Sequence, residues 1–191
     1  MRITAGTYRS RKLATLSGDA TRPTQDKIKE AVFSSIGPYF DGGEALDLFG
    51  GSGSIALEAL SRGMDHVCIA DHSNDAIKII KENVKTLKLN EQCDIFKGDY
   101  QSALEKWQNH QFTFIYIDPP YALKVIDEII AYIDEHDMLA PFGHLVIESS
   151  KEDCFTQNYQ HFYKRKEKTY RVCRITYYTR GKEYENSNLS R

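Results

Sequence analysis

Several things are scarce in this chain, and each scarcity excludes a class. Net charge is only −2 over 191 residues, so the molecule is no polycation, and any nucleic-acid surface must be a local patch. No apolar run approaches the length of a membrane span. The N-terminal stretch M-R-I-T-A-G-T-Y-R-S-R-K-L has no apolar core of the kind a secretory signal carries. There are four cysteines, Cys68, Cys93, Cys154 and Cys173, scattered with no C-x-x-C. They read as reduced thiols of a cytosolic protein. The six histidines make no ligand spacing with them, so no metal is expected. There is no internal repeat and no low-complexity segment. What remains is 41% hydrophobic residues, enough for one globular, monomeric, cytoplasmic domain with a small appendage.

The appendage comes first. Ile3 and Ala5 on one side of G-T-Y-R-S, and Leu13 on the other, predict a short β-hairpin over residues 1–15, decorated by Arg2, Arg9, Arg11 and Lys12. After a polar loop, Thr24 is a candidate N-cap with Asp26 in the first turn. Ile28, Ala31, Val32, Ser35 and Ile36 then follow at helical spacing, up to Gly37-Pro38. From residue 44 apolar runs alternate with amphipathic helices. Strands are expected at 45–49, 66–70, 93–97, 112–117 and 144–148. Helices are expected near 54–62, 74–88, 101–108 and 123–135, with Ile77, Ile80, Val84 and Leu87 on one face of the second. That order implies βαβ units and a parallel sheet covered on both faces. Two further β-segments, 159–168 and 171–179, suit an antiparallel pair at the sheet edge, with Cys173, Ile175 and Tyr177 turned inward. The expected division is 1–40 for the hairpin and helix extension, 41–182 for the main domain, and 183–191 for a polar, frayed tail.

L-D-L-F-G-G-S-G-S-I-A-L-E-A-L (46–60) reads as strand, glycine turn and helix start. Glycines let a backbone approach a ligand closely, and the helix start offers free N–H groups. An ordinary strand-to-helix turn has the same composition. The loop lacks the G-K-[ST] of a phosphate-binding P-loop and the third glycine of a dinucleotide fingerprint, Ala56 standing there instead. Asp47 at the end of a buried strand is costly unless it meets a partner or a cation. Asp71 ends the second strand, about 20 residues beyond the glycines, where an acid can grip ribose hydroxyls or simply cap a helix. Asp99 follows the third strand. Three acids and a glycine loop at consecutive strand tips describe a pocket for an adenosine-like ligand without negative charge, and suited to a positive one. A nicotinamide oxidoreductase, which must hold a pyrophosphate, fits such a pocket badly.

The fourth strand runs into I-D-P-P-Y (117–121). Two prolines stop the strand and stiffen the turn. Stiffness suits Asp118 and a neighbouring carbonyl if they must hold both N–H bonds of one exocyclic amine. Tyr121 then offers a ring on which a flat base can stack. A turn that merely ends a strand is the plainer alternative.

D-L-F-G-G-S-G, Asp71, Asp99 and D-P-P-Y, in this order, resemble a class I S-adenosylmethionine-dependent methyltransferase acting on an exocyclic amine. M-R-I-T-A-G-T-Y-R-S-R-K-L, T-R-P-T-Q-D-K-I-K-E-A-V-F and L-E-A-L-S-R-G narrow the resemblance to the bacterial 16S rRNA (guanine(966)-N(2))-methyltransferase family, over residues 1 to about 180. The resemblance implies a Rossmann-like class I fold with a mostly parallel seven-stranded sheet. It implies S-adenosylmethionine as cofactor, with Gly51 and Gly53 at its methionine part, Asp47 near its amino group, Asp71 on the ribose and Asp99 on the adenine amine. Asp118, Pro119 and Tyr121 would handle the target guanine, and Arg22 and Thr24 would close over the cofactor. Three positions depart from common family residues: Ser10 and Gly50, where glycine and alanine respectively are usual, and Asp71, where glutamate is usual.

The implied activity is methyl transfer to guanine N2 of 16S rRNA, in a small ribosomal subunit or an assembly intermediate. D-P-P-Y does not choose among amines, so adenine N6 and protein glutamine remain alternatives, as does a non-catalytic RNA-binding assembly factor. RNA contact is expected from the N-terminal hairpin and from residues 164–182. The latter carry Lys164, Arg165, Lys166, Lys168, Arg171, Arg174, Arg180 and Lys182, with tyrosines 163, 170, 177 and 178 interleaved. A solvated charged face has the same composition, and some of those tyrosines suit the core.

Overall fold

The alternation of apolar runs and amphipathic segments translates into alternating strands and helices in the computed structural model, which describes residues 1–16 and 23–181. Arg22 and the tail at 183–191 lie outside the described residues. Two compact units are present, Met1–Lys106 and Trp107–Arg191. The first holds β1 (Glu44–Asp47), β2 (His66–Asp71) and β3 (Cys93–Lys97), with helices α1 (Pro23–Ile36), α2 (Ser54–Ser61), α3 (Asn74–Leu87) and α4 (Tyr100–Trp107), the last ending one residue into the second unit. The second holds β4 (Phe112–Ile117), α5 (Ile126–Glu135), β5 (Leu139–Ser149), β6 (Tyr163–Thr169) and β7 (Arg174–Thr179). Among the described residues there are thus seven strands in a mostly parallel α/β architecture, as expected. No described helix is long and apolar enough to cross a membrane.

In the first unit the strand order is β3-β2-β1, all parallel, with Asp47 opposite Ile69 and Asp71 opposite Lys97. Parallel neighbours require a crossover, and α2 and α3 provide them, packing on β1–β2 and β2–β3. The predicted face of α3 is observed: Ile77, Ile80, Val84 and Leu87 are all buried, each contributing roughly 1.5–3 kcal/mol on burial. Ser73 caps α3 by accepting from Ala76 N. The start of α1 corrects an expectation. The helix begins at Pro23, so Thr24 lies inside the first turn and is not the cap. Proline is favoured at that first position because its missing N–H would have no helical partner there.

In the second unit the order is β4-β5-β7-β6. β4 and β5 are parallel, while β7 runs antiparallel to both β5 and β6. β5 starts five residues earlier than expected. The added residues include A-P-F-G, which is absorbed as an irregularity in its pairing with β4, between Phe112 and Phe114. β7 also departs from the expected alternation, since every residue from Ile175 to Thr179 is buried. It lies between β5 and β6 and is covered on both faces, so both side-chain rows are internal. β6, beginning at Tyr163 rather than 159, is the exposed edge.

The N-terminal hairpin is real but minimal. It rests on one antiparallel bridge, Arg2 with Lys12, and on Ser10 N donating to Ile3 O at 2.9 Å. Ser10 has φ 69°, a left-handed conformation that costs a non-glycine residue about 1–2 kcal/mol. What fastens the hairpin is Glu58, fully buried in α2. Its carboxylate accepts from Thr4 N (2.8 Å), Thr4 Oγ1 (2.7 Å), Ala5 N (3.0 Å) and Arg62 Nε (2.8 Å), and lies 3.2 Å from Lys29 Nζ. Lys29 in turn donates to Arg2 O at 2.6 Å. Burial acts to raise the Glu58 carboxyl, but Lys29, Thr4 and Arg62 together hold it below its ordinary pKa. Gly6 docks against the end of the same helix. A Cβ there would lie 1.7 Å from Ser61 O, so only glycine fits. Glu58→Ala strands two buried cations and four donors. It is expected to cost about 3–5 kcal/mol in unfolding free energy by denaturant titration, whereas a loss under 1 kcal/mol would show that the cluster does not hold the hairpin.

Candidate active site

Backbone geometry shapes the glycine turn after β1. Gly51 and Gly53 have φ 54° and 76°, and Gly53 N closes onto Gly50 O at 2.6 Å. Gly50 N donates to Ala70 O at 2.8 Å, drawing the turn against β2. A Cβ at position 50 would lie 2.5 Å from Ile69 Cγ2, so the glycine found here matches a tight packing against Ile69. At Gly51 a Cβ would meet nothing closer than 4.0 Å. Its space is open, and its glycine is required by φ alone.

Asp47 sits beneath this turn, 3% exposed. The backbone N–H groups of Phe49 and Ala56, one at each end of the turn, favour its charged form. Oδ1 is buried with no partner among the described residues. Burial pushes its pKa up to about 7, with the nearby Asp71 charge adding to the rise and the two N–H groups opposing it. A buried carboxylate with one unsatisfied oxygen suits a cationic ligand. Asp71 is occupied on both oxygens: Oδ2 accepts from Gly51 N and Oδ1 from Ser73 N, at 2.9 and 2.8 Å. It therefore clamps the turn to β2, and each oxygen keeps a second lone pair for a ligand hydroxyl. Asp99 is exposed and accepts from Ser102 N at 2.8 Å. It caps α4, and the hydrogen bonds from Ser102 hold its carboxyl below the usual range. Thr24 lies in the first turn of α1, and Arg22 lies outside the described residues.

Asn83 belongs with these residues and escaped the sequence reading. It is 2% exposed. Its amide accepts from Ala14 N (2.8 Å) and donates to Ala14 O (3.0 Å) and Ser52 O (2.9 Å). It thereby ties the strand leaving the hairpin to the glycine turn. The available signal was an asparagine next to Val84 on the apolar face of α3.

In the second unit Asp118 follows β4 directly. Pro119 is buried, Pro120 exposed, and Tyr121 opens a short 3-10 turn at 48% exposure. A cavity of about 170 Å³ lies beside them, lined among others by Lys124, Asp127, Asp153 and Phe155. The Tyr121 phenol is held above its ordinary pKa by burial first, then by the charges of Glu148, Asp118, Cys173 and Asp153. Glu148, near the end of β5, accepts from Tyr116 OH at 2.7 Å and is a second strand-tip acid that the sequence reading passed over. Its signal was the same as for Asp47, an acid closing an apolar run. Among the described residues no group of three or more His, Cys, Asp or Glu residues is arranged to hold a metal ion.

A family model described as conserved hypothetical protein 95 matches residues 1–179. The chain belongs to this family. It is 42% identical over 154 residues to YlbH of Bacillus subtilis, provisionally named an rRNA methyltransferase, covering 80% of this chain and 84% of that one. It is 34% identical over 154 residues to ribosomal RNA small subunit methyltransferase D of Haemophilus influenzae, covering 80% of each. Among solved structures, yhhF of Escherichia coli, described provisionally as a methyltransferase, superposes with a TM-score of 0.81 at 25% identity, covering 96% of this chain and 99% of that one. The resemblance drawn from the glycine loop, D-P-P-Y and the N-terminal motifs is therefore borne out, and the chain is a member of a methyltransferase family with the class I fold.

Because Asp47 holds its proton to about pH 7 in the folded family member but only to its ordinary 3.8 when unfolded, folding binds more protons between those values. Stability is then expected to fall as pH rises from 4 to 7, by on the order of 3–4 kcal/mol from this group. Asp47→Asn should flatten that slope and be more stable than wild type at pH 8 in denaturant titrations. Parallel pH profiles for the two proteins would contradict the assignment.

Proposed function

We propose that this protein transfers a methyl group from S-adenosylmethionine to the exocyclic N2 of a guanine in small-subunit ribosomal RNA. The observation that carries the reading is the unsatisfied, buried oxygen of Asp47 under the glycine turn, in a chain whose fourth strand delivers Asp118-Pro119-Pro120-Tyr121. The names of the relatives, which specify rRNA and the small subunit, support the substrate class. The guanine rests on the N-terminal motifs.

When bound, S-adenosylmethionine supplies a methyl carried on a sulfonium, with S-adenosylhomocysteine as the leaving species. Asp47 would hold the ligand's ammonium on Oδ1, giving up its own proton to solvent. Gly51 and Gly53 admit its methionine part, Asp71 accepts from ribose hydroxyls with its remaining lone pairs, and Asp99 receives the adenine amine. In the second unit Asp118 and the carbonyl next to it accept the two N–H bonds of guanine N2, holding the lone pair out of conjugation with the ring. Positioning of this kind is worth up to roughly 7–11 kcal/mol. The Asp118 carboxylate would also stabilise the positive charge that develops on N2, which is relieved when N2 releases a proton to solvent. Tyr121 stacks on the base, a contact worth about 1–3 kcal/mol. The base must be unpaired or flipped out to be reached.

A second reading has one observation behind it. Over 100 residues the chain is 31% identical to a release factor glutamine methyltransferase of Prochlorococcus marinus, spanning half of this chain and a third of that one. That reading keeps Asp118 and changes only the amine. Single-turnover transfer to small-subunit rRNA separates the roles. Asp118→Ala is expected to slow the chemical step by about 10²–10³-fold with cofactor affinity retained, and Asp47→Asn to weaken cofactor binding first. An Asp118→Ala enzyme as fast as wild type would end the proposal.

A further inference from the structure

The second unit has another cavity, at the far end of its strands from Asp118. It encloses about 400 Å³ and is lined by Phe142, His144, Tyr163, Arg165, Thr179 and Arg180, with Gly181 at its margin. Its lining includes two arginines and no carboxylate. Arg180 is fixed in place, paired with Asp137 and donating to Leu139 O at 2.7 Å. Arg165 is different. It is the extra residue of the irregularity in β6, between Lys164 opposite Tyr178 and Lys166 opposite Tyr177. It is exposed and makes no ion pair among the described residues. His144 is pushed down to about 4 by burial and by the Arg165 charge, so it is neutral and able both to donate and to accept.

Phe142 is the unusual member. It is 65% exposed and has φ 61°. A large ring is thus held in water on a backbone conformation that disfavours it, and core packing returns nothing for either cost. Such an outlier points to a ligand. From this cavity β6 runs along the edge toward the end of the unit that carries Asp118. Tyr163 pairs with Thr179 beside the cavity, while Thr169 pairs with Arg174, which faces Ser149 next to Glu148. Ile147 lies opposite Ile117, the neighbour of Asp118. Seven strand residues cover about 20 Å. Along them Arg165, Lys166 and Lys168 are exposed, as is Glu167, which pairs with Lys164 at 3.3 Å; Lys166 and Lys168 rest on the rings of Tyr177 and Tyr170 at 4.8 and 5.1 Å.

We propose that this cavity binds a nucleotide of the substrate RNA that flanks the methylated base, with its base stacked on Phe142 and its phosphate on Arg165, and the intervening strand lying along β6. The proposal rests on the rRNA reading above. An acidic protein segment would use the cations but has no need of an exposed ring, so the aromatic favours RNA.

The test compares wild type with Phe142→Gly and Arg165→Ala for affinity to free small-subunit rRNA across a salt series, alongside methyl transfer, cofactor affinity and thermal unfolding. Phe142→Gly removes the ring and relieves the positive φ. Its melting temperature should not fall, while its RNA affinity falls about five- to 100-fold, the range of one base stack. Arg165→Ala should lower the salt slope by about 0.7–0.9. In both variants KM for RNA rises, with kcat and cofactor affinity unchanged. Variants equal to wild type in RNA affinity and salt slope, with wild type methylating rRNA, would overturn the proposal. So would normal binding to free rRNA with weakened binding only to assembled subunits, which would identify a ribosomal protein as the occupant. A wild type that binds cofactor but neither binds nor methylates RNA would mean that the rRNA reading itself had failed, and this site with it.

Discussion

The first unit of this protein depends on one carboxylate buried under a glycine turn. The N–H groups of Phe49 and Ala56, at the two ends of the turn, favour the charged form of Asp47, while Oδ1 is left unsatisfied. Asp71 fixes the middle through Gly51 N, and Asn83 fixes Ser52 O from α3. The turn is thereby pinned at successive points by side chains from two elements, with its glycine backbone toward open space at Gly51. A carboxylate so placed is destabilising until something cationic meets it. That cost is the physical reason to assign a positively charged ligand to this turn rather than a phosphate.

Much of this was legible in the chain. The apolar run F-T-F-I-Y-I became β4, buried at five of its six positions, and D-P-P-Y ended it where prolines must. The 3.6-residue spacing of Ile77, Ile80, Val84 and Leu87 gave α3 its buried face. The acids at strand tips were found because an acid after an apolar run is costly wherever the fold places it. What stayed hidden depends on partners distant in sequence. Glu58 reads as an ordinary helix-surface glutamate until Thr4, Lys29 and Arg62 surround it. Asp99 looked like a ligand contact, but its nearest demand is the first turn of α4. The burial of both faces of β7 could not be read from its own residues, because it depends on side chains distant in sequence that pack on those faces, such as Tyr159 and Phe162 against Tyr178.

The N-terminal hairpin illustrates the same limit from the other direction. L-E-A-L-S-R-G contributed to the family resemblance as a string, yet its physical content is docking: Glu58 and Arg62 take the strand at Thr4, and Ser61 takes Gly6 and Tyr8. Those contacts lead into Ala14 and so to Asn83 and the glycine turn. The basic hairpin expected to meet RNA is therefore anchored by a buried ion cluster to the helix that begins at that turn. The basic residues of the C-terminal segment also divide. Lys164 and Arg174 are spent on Phe155 O and Asp153 O, and Arg180 on Asp137, which leaves Arg165, Lys166, Lys168 and Arg171 as the segment's exposed basic residues among those described, with Glu167 among them.

The central claim is methyl transfer to guanine N2 in small-subunit rRNA. The most direct measurement adds the protein and methyl-labelled S-adenosylmethionine to small ribosomal subunits from cells lacking the endogenous enzyme, then digests the RNA and identifies the labelled nucleoside. Label in N2-methylguanosine at a single site is the expected result. Label in methyladenosine, or none in subunits, free rRNA or DNA despite tight cofactor binding, would contradict it.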